Sequence, residues 1–499
     1  MKKYNLAILV LFVSLVFNGY SQNETDAFRY SELVPTGTAR ASALSGSIGG
    51  FGADFTSVNT NPAGLGVYKR IEFTFSPSIN FSKTNSVYNG IEAYDFKYSF
   101  NIGNLGAVFA IPLNQGKWKY MQLATGFNRL HNYHNNYLIE GPNTGLDGKT
   151  TSLADYFNFA QYANGYTESE LFNDKYNYNY GLGSWAYKAW LIDPVLGDSL
   201  SYTNNLTGVD LTQQKSMGTS GSMNEYVFSM GANYDDIFYI GATLGIPYFN
   251  YTSSYVITET VDPNDTTLFV NSFEYEEVLQ VNGTGINFKV GFLLQPISFF
   301  RIGAAIHTPS YFSSIRESYY QTFTGIYNDN KEMEVYETDP PLNRYSLTTP
   351  YRVIGDMAFI FGKYGFINFN YQFTDYTTMQ LHSTGSNRYS FIQENRNIRK
   401  YYQAVHKIAV GGEINLSPVA FRLGYAYNSN PYRSIVDKDG SFHMLSGGFG
   451  IRSDHFFTDF AYVYRMYNDK SVLYNDPNIN ITETKTMNQY FILTLGIKI

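Results

Sequence analysis

The chain has 499 residues, a net charge of −7, 18% aromatic and 15% charged residues, and no cysteine. Ordinary soluble proteins carry roughly 25% charged residues, and the acidic balance excludes the basic surface that a nucleic-acid partner needs. Without cysteine there is no disulfide framework, thiolate metal site, thiol nucleophile or acceptor thiol for a lipid.

Residues 1–21 have the order of a signal peptide. Lys2 and Lys3 precede an apolar run from Leu6 to Phe17, and small residues at Gly19 and Ser21 lead to an expected cleavage before Gln22. That run is too short for a spanning helix, and no later stretch reaches the ~18 apolar residues such a helix needs. Residues 22–70 follow, rich in Gly, Ala, Ser and Thr and lacking strand alternation. This segment is either a disordered leader or a plug inside a larger structure. Its small residues favour the plug, because they let backbone pack closely against a wall.

From residue 71 to 499 the pattern changes to alternation with a period of two, which sends successive side chains to opposite faces of a strand. Ile71, Phe73, Phe75, Ile79 and Phe81 oppose Glu72, Thr74, Ser76, Ser78 and Asn80. The split recurs at Ile367–Thr374, Val419–Asn428 and Phe491–Ile499, and the charges Glu72, Arg301, Glu413, Arg422, Asp459 and Arg465 fall sparsely on the polar face. A soluble two-sheet sandwich would also alternate, but it would carry an ordinary charged surface and repeat at a domain-sized period. Neither feature is present.

Very short turns near Asp235, Pro296, Gly362, Pro418 and Asp454 alternate with long polar segments at 131–222, 250–282, 312–350, 380–402, 429–442 and 469–487. Outer-membrane barrels connect their strands in this way. The expectation is an all-β fold, a transmembrane antiparallel barrel of about fourteen strands. They start near 71, 92, 118, 223, 237, 284, 299, 351, 364, 403, 419, 443, 455 and 488. Between Glu92 and Pro112 the residues Asn101, Gly103, Asn104 and Gly106 interrupt the alternation, and an even strand count requires one strand with a kink or bulge there.

The segment 131–222 carries helical spacing of its own, with Leu153, Tyr156, Phe157 and Ala160 on one face and Leu182, Trp185, Ala186 and Ala189 on another. It is either a packed external cap or an apolar groove, formed by Leu153, Tyr156, Phe157 and Trp185, that first captures ligand. His131 and His134 could ligate a metal or haem if their segment were helical, but solvated loop histidines are the simpler reading. Acidic runs at Asp262–Asp265 and Asp329–Glu334 are read as solvated loops. No G-x-S-x-G, P-loop or H-E-x-x-H pattern occurs, so no catalytic or metal residue is assigned.

The run TARASALSGSIGGFGADFTSVNTNPAGLG, placed just before the first strand, resembles the small-residue segment of the FadL family of long-chain fatty acid and hydrocarbon transporters. The resemblance implies a fourteen-stranded barrel with an N-terminal hatch in which Asn61, Pro62, Ala63 and Gly64 take part. It also implies release of ligand through a kink-lined opening in the wall, for which 101–106 is the candidate. Similar sequences are also described as haemin receptors. Two departures are the terminal Ile499, where barrels often end in an aromatic residue, and the very long segment after the third strand. The expected protein is a bacterial outer-membrane transporter with no cofactor. Its partners would be the bilayer, the outer-membrane insertion machinery and a hydrophobic small molecule. A structural or adhesive barrel is the rival from another class; Gly241, Gly245, Gly411 and Gly424 on the lumen face argue for spare room instead.

Overall fold

The computed structural model describes residues 23–34, 36–173, 181–262, 268, 270–327, 332–337, 343–385 and 389–499. The expected signal peptide lies outside the described residues, as do Asp265 and Asp329 of the acidic runs and the side chain of Leu182.

Fourteen antiparallel strands form one closed barrel. They are β1 (Glu72–Tyr88), β2 (Ile91–Gln115), β3 (Trp118–Asn132, continued by Asn135–Pro142), β4 (Leu211–Tyr234), β5 (Phe238–Val261), β6 (Val270–Ile297) and β7 (Phe300–His307, continued by Tyr311–Tyr327). There follow β8 (Arg352–Ile360), β9 (Gly365–Asp375), β10 (Ala404–Leu416), β11 (Val419–Asn428), β12 (Phe442–Arg452), β13 (Phe456–Ser471) and β14 (Thr482–Lys498). The ring closes where β1 pairs with β14, with Phe73 opposite Ile497.

Alternation explains which face is which. On β1 the polar residues Thr74, Ser76, Ser78 and Asn80 are buried, whereas Phe73, Phe75 and Ile79 are 38–50% exposed. Polar side chains inside and apolar ones outside invert the arrangement of a water-soluble protein, and the outward belt is satisfied only by lipid. Among the described residues no helix is long and apolar enough to cross a membrane; the strands form the wall.

Most strands begin within two residues of their expected starts. Three begin earlier: β4 at Leu211, β6 at Val270 and β14 at Thr482. The segment 250–282 is therefore largely a hairpin and not a loop, since β5 and β6 stay paired from Phe238 with Leu294 up to Thr260 with Ser272. Above the lipid both faces of a strand meet water or packed loops, so the ladder continues although the apolar outward stripe has ended.

Among the described residues, 143–173 and 181–210 cap the long-loop end with four helices, Leu153–Tyr156, Phe159–Ala163, Glu168–Asn173 and Gly181–Lys188, and a small hairpin of Ile192–Val195 and Asp198–Asn204. Leu153, Phe159, Leu171, Trp185 and Ala189 pack there against Phe273 and Phe323 of the wall extensions. The first helix is fixed by Glu259, whose buried carboxylate accepts from Ser152 Oγ at 2.7 Å, Leu153 N at 2.8 Å and Gln213 Nε2 at 2.7 Å. Burial pushes this carboxyl up to about 7, against the lowering effect of those hydrogen bonds. A folded-state value above the unfolded one gives stability that is complete below the ordinary carboxylate range and lost as pH rises through the folded value. Amide protection in 153–163, corrected for intrinsic exchange, is expected to fall on the order of tenfold between pH 5 and pH 8. Glu259→Gln should flatten that dependence, and an unchanged slope in the variant would assign it to another group.

Candidate functional site

The N-terminal segment runs inside the barrel from the long-loop half to the short-turn rim. Near the long-loop end a helix, α1 (Glu24–Arg29), is capped by Asn23, whose side chain accepts from Thr25 N and Asp26 N. Behind it Tyr30 stacks on Phe249 with ring centroids 4.4 Å apart, and Phe28 stacks on Tyr402 at 5.2 Å. Ala27 and Tyr30 belong to a buried cluster with Phe312, Tyr345, Tyr376 and Ile398, which occupies one side of the upper lumen, while a cavity of about 300 Å³ lies between α1 and the wall residues His131, Tyr251 and Arg465.

A second short helix, α2 (Ala39–Ala43), starts at Thr38, whose hydroxyl accepts from Ala41 N and donates to both Asp54 oxygens at 2.8 and 2.9 Å. The same Asp54 accepts from Thr56 N at 2.8 Å, so one carboxylate ties the two halves of the segment together. Arg40, on α2, donates from Nε and Nη2 to Glu413 of β10 at 2.8 and 2.9 Å. Arg422 of β11 bridges Glu413 and Asp459 of β13, both at 2.7 Å, and Arg452 adds a contact to Asp459 at 3.2 Å. These five charges are mutually paired, which is the condition for keeping ions out of water. Through Arg40 they anchor the segment to four consecutive strands, β10 to β13.

Farther along, Asn61 caps the 3₁₀ turn Pro62–Val67 by accepting from Ala63 N, and its Nδ2 donates to the Phe292 carbonyl of β6 at 3.3 Å. Glycines of the wall make the room: a Cβ at Gly291 would collide with Asn61 and one at Gly241 with Pro62. Gly64 in turn faces Gly52 and Ser57 within the segment. Gly411 and Gly424 lie under Leu44, and Gly245 faces Glu225 and Asn287. The lumen-face glycines thus correct the expectation of spare room, because backbone and side chains occupy the space they leave.

What remains open in the middle of the lumen is a void of about 70 Å³ between the segment and the wall, lined by polar groups including Glu32, Glu225, Lys289, His307, Arg352 and Lys407. A water needs ~10–15 Å³ of such space. The void therefore holds a few waters and no drug-sized solute.

The wall irregularity lies where Asn101, Gly103, Asn104 and Gly106 interrupt β2. Ser76 faces Asn104 and Pro77 faces Ile102, so Gly103 is an extra, bulged residue in the β1–β2 ladder. On the other side the β2–β3 ladder ends at Asn104 with Asn128. Above it β2 pairs only with β1, and β3 from Arg129 pairs only with β4. Two wall strands therefore part at the bulge. Just below, Phe55 of the segment covers Gly106 and Gly126 from the inside, where a Cβ on either would strike its ring.

The cap residues Leu153, Phe157 and Trp185 are buried in the packed cluster described above, with Tyr156 half-buried against Phe157 and Tyr474. They form a closed core here, not an open groove. His131 meets the Glu32 carbonyl through Nδ1 at 3.1 Å, and His134 Nδ1 lies 2.7 Å from Asn132 Oδ1. The segment they occupy is strand and turn, so the helical spacing needed for joint ligation is absent, and among the described residues no cluster of three metal-ligating side chains occurs. Sequence reasoning missed Arg40, Asp54 and Phe55. Arg40 and Asp54 are nevertheless the two charges between Thr36 and Tyr68, and that isolation was the available signal.

Neither a protein-family profile nor a curated protein matches the chain. Solved structures do. A FadL homologue from Pseudomonas aeruginosa aligns over 93% of this chain and 99% of its own, with a TM-score of 0.53 and 13% identity. The toluene transporter TodX of Pseudomonas putida aligns over 94% and 99%, with a TM-score of 0.50 and 10% identity. At such identities the likeness concerns architecture, and the chain has the FadL-type fold, a closed fourteen-stranded transmembrane barrel.

Proposed function

We propose that the protein takes up hydrophobic small molecules, such as long-chain fatty acids or similar apolar compounds, across a bacterial outer membrane. The segment 22–70 acts as a hatch, with Asn61–Gly64 seated on wall glycines, and cargo leaves sideways where β2 and β3 part. One observation carries this reading: the lumen is closed by the segment while the wall ladder is interrupted beside it at Gly103. A solute that gains ~25 cal/mol per Å² on entering apolar surroundings is drawn toward lipid, not along a wet axial pore. The solved proteins of the same fold, a FadL homologue and a toluene transporter, support a hydrophobic cargo. Movement is passive, down the partition gradient of the cargo.

The test is uptake of a labelled long-chain fatty acid by cells with and without the gene, with toluene as a second solute. Loss of the gene should lower uptake of at least one of them. Gly103→Val places a side chain against the Gly37 carbonyl, 3.0 Å from a Cβ there, and should reduce uptake several-fold. Unchanged uptake in a folded Gly103→Val barrel would remove the wall exit.

A further inference from the structure

Two cations inside the barrel have no acid of their own. Alternation turns Arg352 of β8 and Lys407 of β10 into the lumen, while their neighbours Val353 and Ile408 are exposed on the outer belt. Both cations line the central void of about 70 Å³. The acids on that void, Glu32 and Glu225, are already matched. Glu32 accepts from Arg465 Nη2 at 3.1 Å, and Glu225 pairs with Lys289 and accepts from Asn287 Nδ2 at 2.7 Å. His307 directs its Nε2 to the Thr60 carbonyl at 2.9 Å. Arg352 donates from Nη2 to a neutral partner, the Ser31 carbonyl, at 3.0 Å, and the acid whose charge reaches it is Glu225, which Lys289 holds. Lys407 Nζ makes no hydrogen bond or ion pair among the described residues, and the charge it feels is that of Arg465, another cation.

Taking a cation out of water is costly unless an anion answers it, and a polar void with surplus positive charge concentrates anions. Space for a few waters suits a monatomic anion that keeps part of its hydration. A doubly charged oxyanion gives up more hydration on entry, because that cost grows with the square of the charge, and an acyl chain does not fit. Thr374, also on the void, accepts from Gln372 Nε2 at 3.2 Å and keeps its hydroxyl proton for a further acceptor. The position matters as well as the charge. Arg352 reaches from the wall to Ser31 of the N-terminal segment, and Lys407 Nζ lies 3.8 Å from where a Cβ on Gly46 would stand, at the turn after α2. An anion between these cations therefore lies between wall and segment.

We propose that the central void binds one chloride ion, held by Arg352 and Lys407, and that this ion helps to fasten the N-terminal segment to the wall. The site belongs to the closed barrel and does not depend on what the protein takes up. Its test reads ion retention and amide exchange, so it stands or falls separately from the uptake reading.

The full-length protein in phosphatidylcholine nanodiscs is dialysed against radiolabelled chloride in a gluconate buffer of constant ionic strength, gluconate being too large for the void. A single chloride per barrel should be retained above the level of protein-free discs. Amide exchange in residues 38–60 should be about tenfold slower in chloride than in gluconate, the range of one charge-assisted contact. Lys407→Met should abolish retention and bring exchange in the two salts within about twofold, whereas Lys407→Arg, which keeps the charge, should preserve both effects. Heat-shifted migration on gels confirms that each variant is a folded barrel. No retained chloride in the wild type, retention that survives in folded Lys407→Met, or wild-type exchange that is the same in both salts would overturn the site.

Discussion

Replacing Ser45 and Ser446 together by cysteine should stop uptake under oxidising conditions and return it on reduction. The two hydroxyl oxygens are 2.8 Å apart, one on the turn after α2 and one on the inner face of β12, and both residues are buried. Sulfur in place of each oxygen brings the pair to the distance from which a disulfide of about 2.05 Å forms with little backbone movement. The chain has no other cysteine, so no competing thiol confuses the result. If the segment must leave its seat for cargo to pass, a covalent tie to the wall holds uptake at the background of a strain lacking the gene. Labelled fatty acid uptake before and after reduction measures the effect, with mass analysis of the closed link as the control. Full uptake through a cross-linked barrel would mean that cargo passes with the N-terminal segment in place, and the hatch reading would fall.

The sequence marks the barrel clearly because lipid imposes one rule on every residue that meets it. Phe73, Phe75 and Ile79 face out and Thr74, Ser76 and Ser78 face in, and that contrast locates the strands to within a few residues. Where the solvent changes, the rule lapses. Thr252 and Ser254 on one face and Ser253 on the other lie on a strand that continues above the lipid belt, yet they read as loop because polar side chains on both faces are permitted there. Gly103 was visible as a break in pattern. That β2 and β3 separate above it was not, because the separation depends on which edge β3 offers beyond Asn128.

The interior site was legible in part. Asn61 and Pro62 stood out by resemblance, and their seat on Gly241, Gly291 and Gly303 follows from tertiary contacts alone. Glu413, Arg422 and Asp459 were assigned to the polar face from alternation. Their partner Arg40 is 373 residues from Glu413, a separation at which local spacing carries no information. The same limit hid the cap core, where Trp185 meets Phe323 only after the β7 extension has risen above the membrane.

Arg40→Ala should loosen the N-terminal segment proposed as a hatch while leaving the barrel folded. The substitution removes both charge-assisted hydrogen bonds to Glu413, but Glu413 keeps Arg422 at 2.7 Å, so no wall carboxylate is left unpaired. Breaking a buried ion pair costs about 3–5 kcal/mol. Because Glu413 retains a partner, the lower end applies, and ~3 kcal/mol corresponds to about a hundredfold shift between closed and open forms. Current recordings in planar bilayers are therefore expected to show brief openings about a hundredfold more often than in the wild type. Glu413→Gln should behave differently, because it leaves Arg40 and Arg422 facing each other with Asp459 as the remaining acid of the network. That variant strains wall and hatch together and should lower the yield of folded barrel. Wild-type opening frequency in a folded Arg40→Ala barrel would show that the closed state is held by the packing of Leu44, Phe55 and Pro62 against the wall, with the ion network serving the wall alone.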